Sequence, residues 1–310
     1  MTGARASWLS LGEGGTPLVR ASRLGEQLGL ELHLKCELLN PTGSFKDRGM
    51  AVAVERAADA GARFVVCAST GNTAASAATY AARAGLRAVV LTPEGATASA
   101  KRAQAHAAGA RVLEVRGTFD DALRLCRELA EKDGFVLVNS LNPDRLDGQR
   151  SVVGEIVDQL GRIPDVVALP YGGGGNVSAV AAGCDEAGIA PVLVVGEAAR
   201  RPETFASAIR IGEPAHRARV EELRIAGRLT VVSLSEDELR SEWESLARVE
   251  GVFCEPASAA GVAALRKLGD VRGTAVCIVT GHGLKDASAV DASAALSVEP
   301  TVAAVLEALS

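Results

Sequence analysis

The alternation of short apolar runs with longer Ala-rich segments limits the possible folds of this chain more than any other feature. Runs rich in Val, Ile, Leu and Cys lie at Glu31-Cys36, Arg63-Cys67, Ala88-Leu91, Arg111-Val115, Phe135-Val138, Val166-Pro170, Val192-Val195, Thr230-Ser233 and Ala275-Thr280. Apolar runs of this length, bounded by turn residues, read as buried strands, and the segments between them as helices. A chain that repeats strand and then helix builds mainly parallel sheets, because a parallel pair needs a connection long enough to hold a helix. The expected fold class is therefore α/β, with ligands beyond the carboxyl ends of the strands. No G-x-G-x-x-G is present, so the usual dinucleotide fingerprint is missing.

Four segments fall where such strands end or helices begin. Asn40-Pro-Thr-Gly-Ser-Phe-Lys-Asp-Arg-Gly49 puts one lysine, Lys46, in the first turn of a helix behind a tight loop. Asn-Pro and Thr-Gly are turn dipeptides, and Ser44 with Asp47 has the spacing of a capping box, so the helix should start near Phe45. The positive end of a helix dipole and any burial both lower a lysine pKa, which suits a lysine used as a neutral nucleophile. Taken alone, the decapeptide equally describes a solvated charge cluster. Cys67-Ala-Ser-Thr-Gly-Asn-Thr-Ala74 runs from a strand into a helix with hydroxyls and amides suited to a carboxylate or phosphate, or simply to capping. Gly172-Gly173-Gly174-Gly175-Asn176 carries a large entropic cost that an amide nest around a phosphate would explain; a floppy loop is the alternative. Val279-Thr-Gly-His-Gly-Leu-Lys-Asp286 shows only a tight turn after a strand.

With 310 residues, 48% of them hydrophobic, the chain can bury a large core as two lobes or one large domain. A formal charge of -5 with both signs interspersed offers no basic stripe for nucleic acid and no polybasic segment for a membrane. Six scattered cysteines form no C-x-x-C, which points to reduced core residues and away from zinc or disulfides, and no metal site is expected. The N-terminus lacks the pattern of a signal peptide, so a cytoplasmic location is the expectation. The Arg-rich stretch from Glu197 to Arg228 is the least regular and reads as a mobile surface excursion.

These motifs together resemble threonine synthase and its relatives among the fold-type-II pyridoxal-phosphate enzymes, from Gly12-Glu-Gly-Gly-Thr-Pro-Leu18 to the Thr-Gly segment near residue 280. The resemblance implies that Lys46 carries pyridoxal 5'-phosphate as a Schiff base and serves as the catalytic amine. It places Asn72 on the pyridoxal hydroxyl, Ser69, Thr70 and Thr73 at the substrate carboxylate, and Gly172, Gly173, Gly174, Gly175 and Asn176 around the cofactor phosphate. Thr280 would face the pyridine nitrogen. The segment Asn139-Ser-Leu-Asn-Pro-Asp-Arg145 resembles the stretch that binds the phosphate of O-phosphohomoserine, which makes Asn139, Ser140 and Arg145 substrate-phosphate candidates. An Arg fork is apt for that task.

The implied architecture is two-lobed, each lobe a mainly parallel sheet flanked by helices. Residues 1–40 with 144–310 would form the larger, cofactor-phosphate lobe, and 41–143 a smaller mobile lobe holding the substrate carboxylate. The implied partners are a phosphorylated amino-acid substrate and a second copy of the chain in a homodimer. The implied reaction converts O-phospho-L-homoserine and water to L-threonine and phosphate. Two departures motivate a dehydratase-like or specialised alternative performing elimination or replacement. The phosphate loop is all glycine up to Asn176, and Ala96 stands where relatives carry a lysine.

Overall fold

The computed structural model describes residues 8–95, 99–290 and 297–309, so Ala96 lies outside the described residues. Ten strands are found among them: β1 Leu18–Arg20, β2 Glu31–Lys35, β3 Phe64–Ala68, β4 Arg87–Pro93, β5 Arg111–Val115, β6 Phe135–Leu137, β7 Val166–Pro170, β8 Val192–Ala198, β9 Leu229–Leu234 and β10 Thr274–Ile278. They form a six-stranded sheet in the order β1-β2-β10-β7-β8-β9 and a four-stranded sheet in the order β5-β4-β3-β6. Every pairing is parallel except β1 with β2. The nine expected strands are all present. β1 was not expected, because three half-exposed residues carry no readable periodicity.

Parallel strands covered on both faces should read as continuous apolar runs, and the central strands do. Along β7, Val166 and Ala168 enter one core while Val167 and Leu169 enter the core on the opposite face. The same alternation sends Ala275 and Cys277 of β10 to the first core and Val276 and Ile278 to the second. The smaller sheet divides likewise, with Val65 and Cys67 on one side and Val66 and Ala68 on the other. All six cysteines are buried and unbridged, and burial pushes the Cys67 thiol up to about 12 and the Cys36 thiol to about 11.

The helix that carries Lys46 spans Lys46–Asp59, starting where the sequence places it, but its cap differs from the expectation. Phe45 is the N-cap residue and no side chain caps the helix. Asp47 instead accepts hydrogen bonds from the Thr42 amide at 2.6 Å, the Thr42 hydroxyl at 2.6 Å and the Ser76 hydroxyl at 2.6 Å. Tertiary partners have taken the carboxylate that the local pattern assigned to the cap, and the Ser44 hydroxyl is left buried without a partner. This helix crosses the short helix Pro143–Gln149 at two glycines: a Cβ on Gly49 would lie 2.3 Å from the Arg145 carbonyl oxygen, and one on Gly148 would lie 2.1 Å from that of Arg48.

The stretch from Glu197 to Arg228 is not a loose excursion. Glu197 and Ala198 finish β8, and Ile209, Val220 and Leu223 are buried in the cores of the large sheet.

Candidate active site

Four strand ends meet around Lys46. The segment after β10 supplies Thr280 and Gly281, and the Thr280 carbonyl accepts the Phe45 amide at 3.0 Å while the Gly43 carbonyl accepts the His282 amide at 2.9 Å. These bonds fix the lysine loop to the end of β10. Helix Asn72–Ala84 follows β3, the glycine loop follows β7, and Asn139 and Ser140 follow β6.

The Lys46 amine lies 4.3 Å from the centre of the Phe45 ring. Burial and the neighbouring Arg145 charge lower its pKa to about 7, against an opposing pull from Glu255. At neutral pH the amine is therefore partly free of its proton, the form a nucleophile or general base requires.

Arg145 is 0% exposed. Its Nη1 donates to the Val138 carbonyl at 2.9 Å, while its Nε and Nη2 find no partner in the protein. Burial lowers this guanidinium to about 10, so it remains charged at neutral pH. A buried cation with two idle donors is costly unless an anion completes it.

Asn139 is placed differently from a free ligand. Its Oδ1 accepts from the Ala68 amide at 2.9 Å and its Nδ2 donates to the Ala68 carbonyl at 2.8 Å, so both ends of the amide hold β3. The Ser69 hydroxyl likewise accepts from the amides of Gly71 at 3.1 Å and Ala74 at 3.3 Å, while Thr70 and Thr73 are half-buried beside it.

In the glycine loop, Gly174 has a φ of +83° and precedes helix Gly175–Ala187. The loop is pressed from outside by the Arg-rich stretch that follows β8. A Cβ on Gly172 would meet the Ala208 carbonyl at 3.2 Å, and one on Gly174 the His216 Cβ at 3.0 Å. His216 Nε2 donates to the Ser140 carbonyl at 2.9 Å, which fixes its tautomer, and its amide donates to Gly173 O at 3.0 Å. Ser140 thus sits across from Gly175, joined to the loop through His216.

Thr280 is organised by Ser258, a residue the motifs did not single out. The Ser258 hydroxyl accepts the amides of Thr280 at 3.1 Å and Gly281 at 3.0 Å, which occupies both its lone pairs. Its own proton faces both Thr280 Oγ1 at 3.1 Å and the Gly281 carbonyl oxygen at 3.3 Å. Glu255, also outside the motifs, accepts from Asn72 Nδ2 at 2.8 Å. A single acid and a serine inside the small, apolar run Cys254-Glu-Pro-Ala-Ser-Ala-Ala260 were the only available signals.

The residues fit pyridoxal phosphate. Ser44 Oγ, Asn72 Oδ1, Arg145 Nε and Nη2, Gln149 Oε1 and Asn176 Nδ2 are buried without protein partners among the described residues. Such groups are rare in a folded chain; beside a Lys46 amine of lowered pKa, the idle Arg145 donors call for an anion and the idle Asn72 oxygen for a donor such as a ring hydroxyl.

Comparison with known proteins agrees. Residues 9–281 match the family model described as "Pyridoxal-phosphate dependent enzyme". Threonine synthase of Mycobacterium tuberculosis (strain ATCC 25618 / H37Rv) is 47% identical over 302 residues, covering 90% of this chain and 84% of that protein. The threonine synthase of Halalkalibacterium halodurans is 44% identical over 315 residues, covering 95% and 88%. In fold, the chain is similar to maize serine racemase, with a TM-score of 0.76 at 21% identity over 90% of this chain and 89% of that one. It is also similar to the processed form of threonine deaminase isoform 2 from Solanum lycopersicum, with a TM-score of 0.73 at 23% identity over 90% and 80%. The chain belongs to the pyridoxal-phosphate-dependent enzymes and, within them, to the threonine synthase family.

Proposed function

We propose that the chain converts O-phospho-L-homoserine and water to L-threonine and phosphate, and that its buried, half-satisfied Arg145 beside Lys46 is the recognition point for the substrate phosphate. The bidentate fork left by Nε and Nη2 matches two phosphate oxygens. Ser140 flanks that anion and Asn139 holds the strand end behind it.

When bound, pyridoxal phosphate supplies an electron sink for the carbons next to the substrate amino group. Lys46 would hold it covalently, Asn72 would meet its ring hydroxyl, and the amides of Gly172 to Asn176 would surround its phosphate. Thr280 would present its hydroxyl to the ring nitrogen. A neutral donor at that place leaves the ring less electron-poor than a carboxylate partner would, so the proton traffic rests on Lys46 Nζ. That amine, half neutral near pH 7, can take a proton from the substrate carbon beside the amino group and return one to its neighbour. Ser69, Thr70 and Thr73 would hold the substrate carboxylate. Overall, the Cγ–O bond to phosphate breaks and a hydroxyl from water joins Cβ.

We further propose a working division into a larger lobe, 1–40 with 144–310, and a smaller mobile lobe, 41–143, in a cytoplasmic homodimer. No helix among the described residues is long and apolar enough to cross a membrane.

The test is to supply O-phosphohomoserine to purified protein and measure phosphate, threonine and 2-oxobutyrate. Phosphate and threonine should appear in equal amounts. Absence of phosphate release, or 2-oxobutyrate as the main product, would overturn the assignment. Lys46→Ala should lose the visible absorbance band of the covalently bound cofactor together with turnover.

A further inference from the structure

Glu255 is 1% exposed and stands where three parts of the site meet. Its carboxylate accepts from Asn72 Nδ2 at 2.8 and 3.1 Å, and Lys101 Nζ lies 2.9 Å from its Oε1. Its amide donates to the Gly281 carbonyl at 2.8 Å, beside Thr280. A Cβ on Gly281 would fall 2.2 Å from Glu255 Oε2, so the carboxylate fills the space that any other residue at 281 would need. Lys101 is 3% exposed; its Nζ also donates to Ser207 Oγ at 3.2 Å and lies 3.6 Å from Asp286.

Burying such a pair is a poor way to gain stability, because desolvation offsets most of the attraction. Placement beside Asn72, Thr280 and Lys46 gives the pair another reason to exist. We propose that Glu255, held by Lys101, is a positioning residue for the reaction: it fixes the Asn72 amide and supplies a negative charge that opposes the Arg145 charge at the Lys46 amine. Being a carboxylate, Glu255 can only accept, so Asn72 must turn its NH2 group toward it and its Oδ1 away, where that oxygen has no protein partner.

The charges around Lys46 support this opposition. Arg145 lowers its proton affinity and Glu255 raises it. The other charged or titratable groups facing this cluster are Lys101 and Asp286, Lys285 with Asp47 on its far side, and the protonated thiol of Cys254 next in sequence. Lys285 donates to Thr42 O at 2.6 Å and Gln104 Oε1 at 2.6 Å, so it is satisfied without Glu255.

The inference rests on Lys46 being the cofactor lysine, and its test separates the two. Full-length protein freed of cofactor is mixed with pyridoxal phosphate over a pH series, and uptake is followed by visible absorbance. Uptake requires a neutral Lys46, so its pH midpoint reports that amine. Glu255→Gln removes the opposing charge and should displace the midpoint toward acid by about one pH unit. Lys101→Met leaves Glu255 unopposed and should displace it a similar distance toward alkali. The double variant should return close to the parent value. Thermal melts establish that each variant folds; if Lys101→Met does not, an acid displacement in Glu255→Gln that the double variant reverses still carries the result. Displacement of both single variants in one direction, or of neither, would reduce Glu255 to a packing residue and overturn the inference. If the unmodified protein takes up no cofactor, or Lys46→Ala takes up as much, it is the assignment of Lys46 that fails.

Discussion

Arg145 contributes little to the fold that a neutral side chain of similar length could not. Its one protein hydrogen bond, to Val138 O, leaves two donors idle in a place without water access, which is a standing cost in the ligand-free chain. Arg145→Met should therefore raise the melting temperature of the cofactor-free protein while lowering kcat/KM for the phosphorylated substrate about 10- to 100-fold, the range expected for hydrogen bonds to a charged group. Melting curves and steady-state kinetics on the same preparation check both halves; the visible cofactor band should survive. At this scale the sequence was informative where a residue sits in a motif, as Lys46, Asn72 and Thr280 do. It was uninformative for Glu255, Ser258 and His216, whose roles come from what lies opposite them in space. His216 shows why: nothing in its Arg-rich surroundings marks it, yet it joins Ser140 to the glycine loop.

At the scale of elements, the crossing of helix Lys46–Asp59 over helix Pro143–Gln149 places Lys46 and Arg145 side by side. Gly49 and Gly148 allow main chain to meet main chain there, and neither carbonyl can move without moving its helix. Gly49→Ala should destabilise the protein by about 1–3 kcal/mol through overpacking, read from the urea midpoint, and should weaken phosphate-dependent turnover because Arg145 is carried on the displaced helix. The strands were legible because buried parallel strands are continuous apolar runs. Helix caps were less so, since Asp47 sits at the right spacing from Ser44 but is drawn to Thr42 and Ser76, partners that the folded loop and the neighbouring helix bring to it. The four glycines were legible as a tight loop, but one reason for them was not: the chain from Ala208 to Val220 packs against Gly172 and Gly174.

At the scale of the whole molecule, one ion network ties the segment before β1 to the large sheet and to helix Lys46–Asp59. Glu155 accepts from Arg48, Lys35 and the Gly15 amide, and Arg48 also grips Glu37. Burial alone would raise the Glu155 carboxyl, but the hydrogen bonds from Arg48 and Lys35 outweigh it and hold it at about 2. Its folded value lies below the ordinary 4.5, so the ionised carboxylate stabilises the fold fully above about pH 4.5, and the contribution fades as pH falls toward 2. Melting temperature should drop across that window, and Glu155→Gln should start lower and show a shallower drop; circular dichroism melts over a pH series measure it. The buried thiols have a practical consequence. All six cysteines are enclosed, and burial raises each thiol whose value departs from the ordinary one. Thiol-directed dyes attack the thiolate and need access to it. A cysteine introduced on the surface beside each sheet should thus take label without first emptying the core of sulfur, so the distance between two fluorophores in the otherwise native chain tests whether the proposed smaller lobe moves.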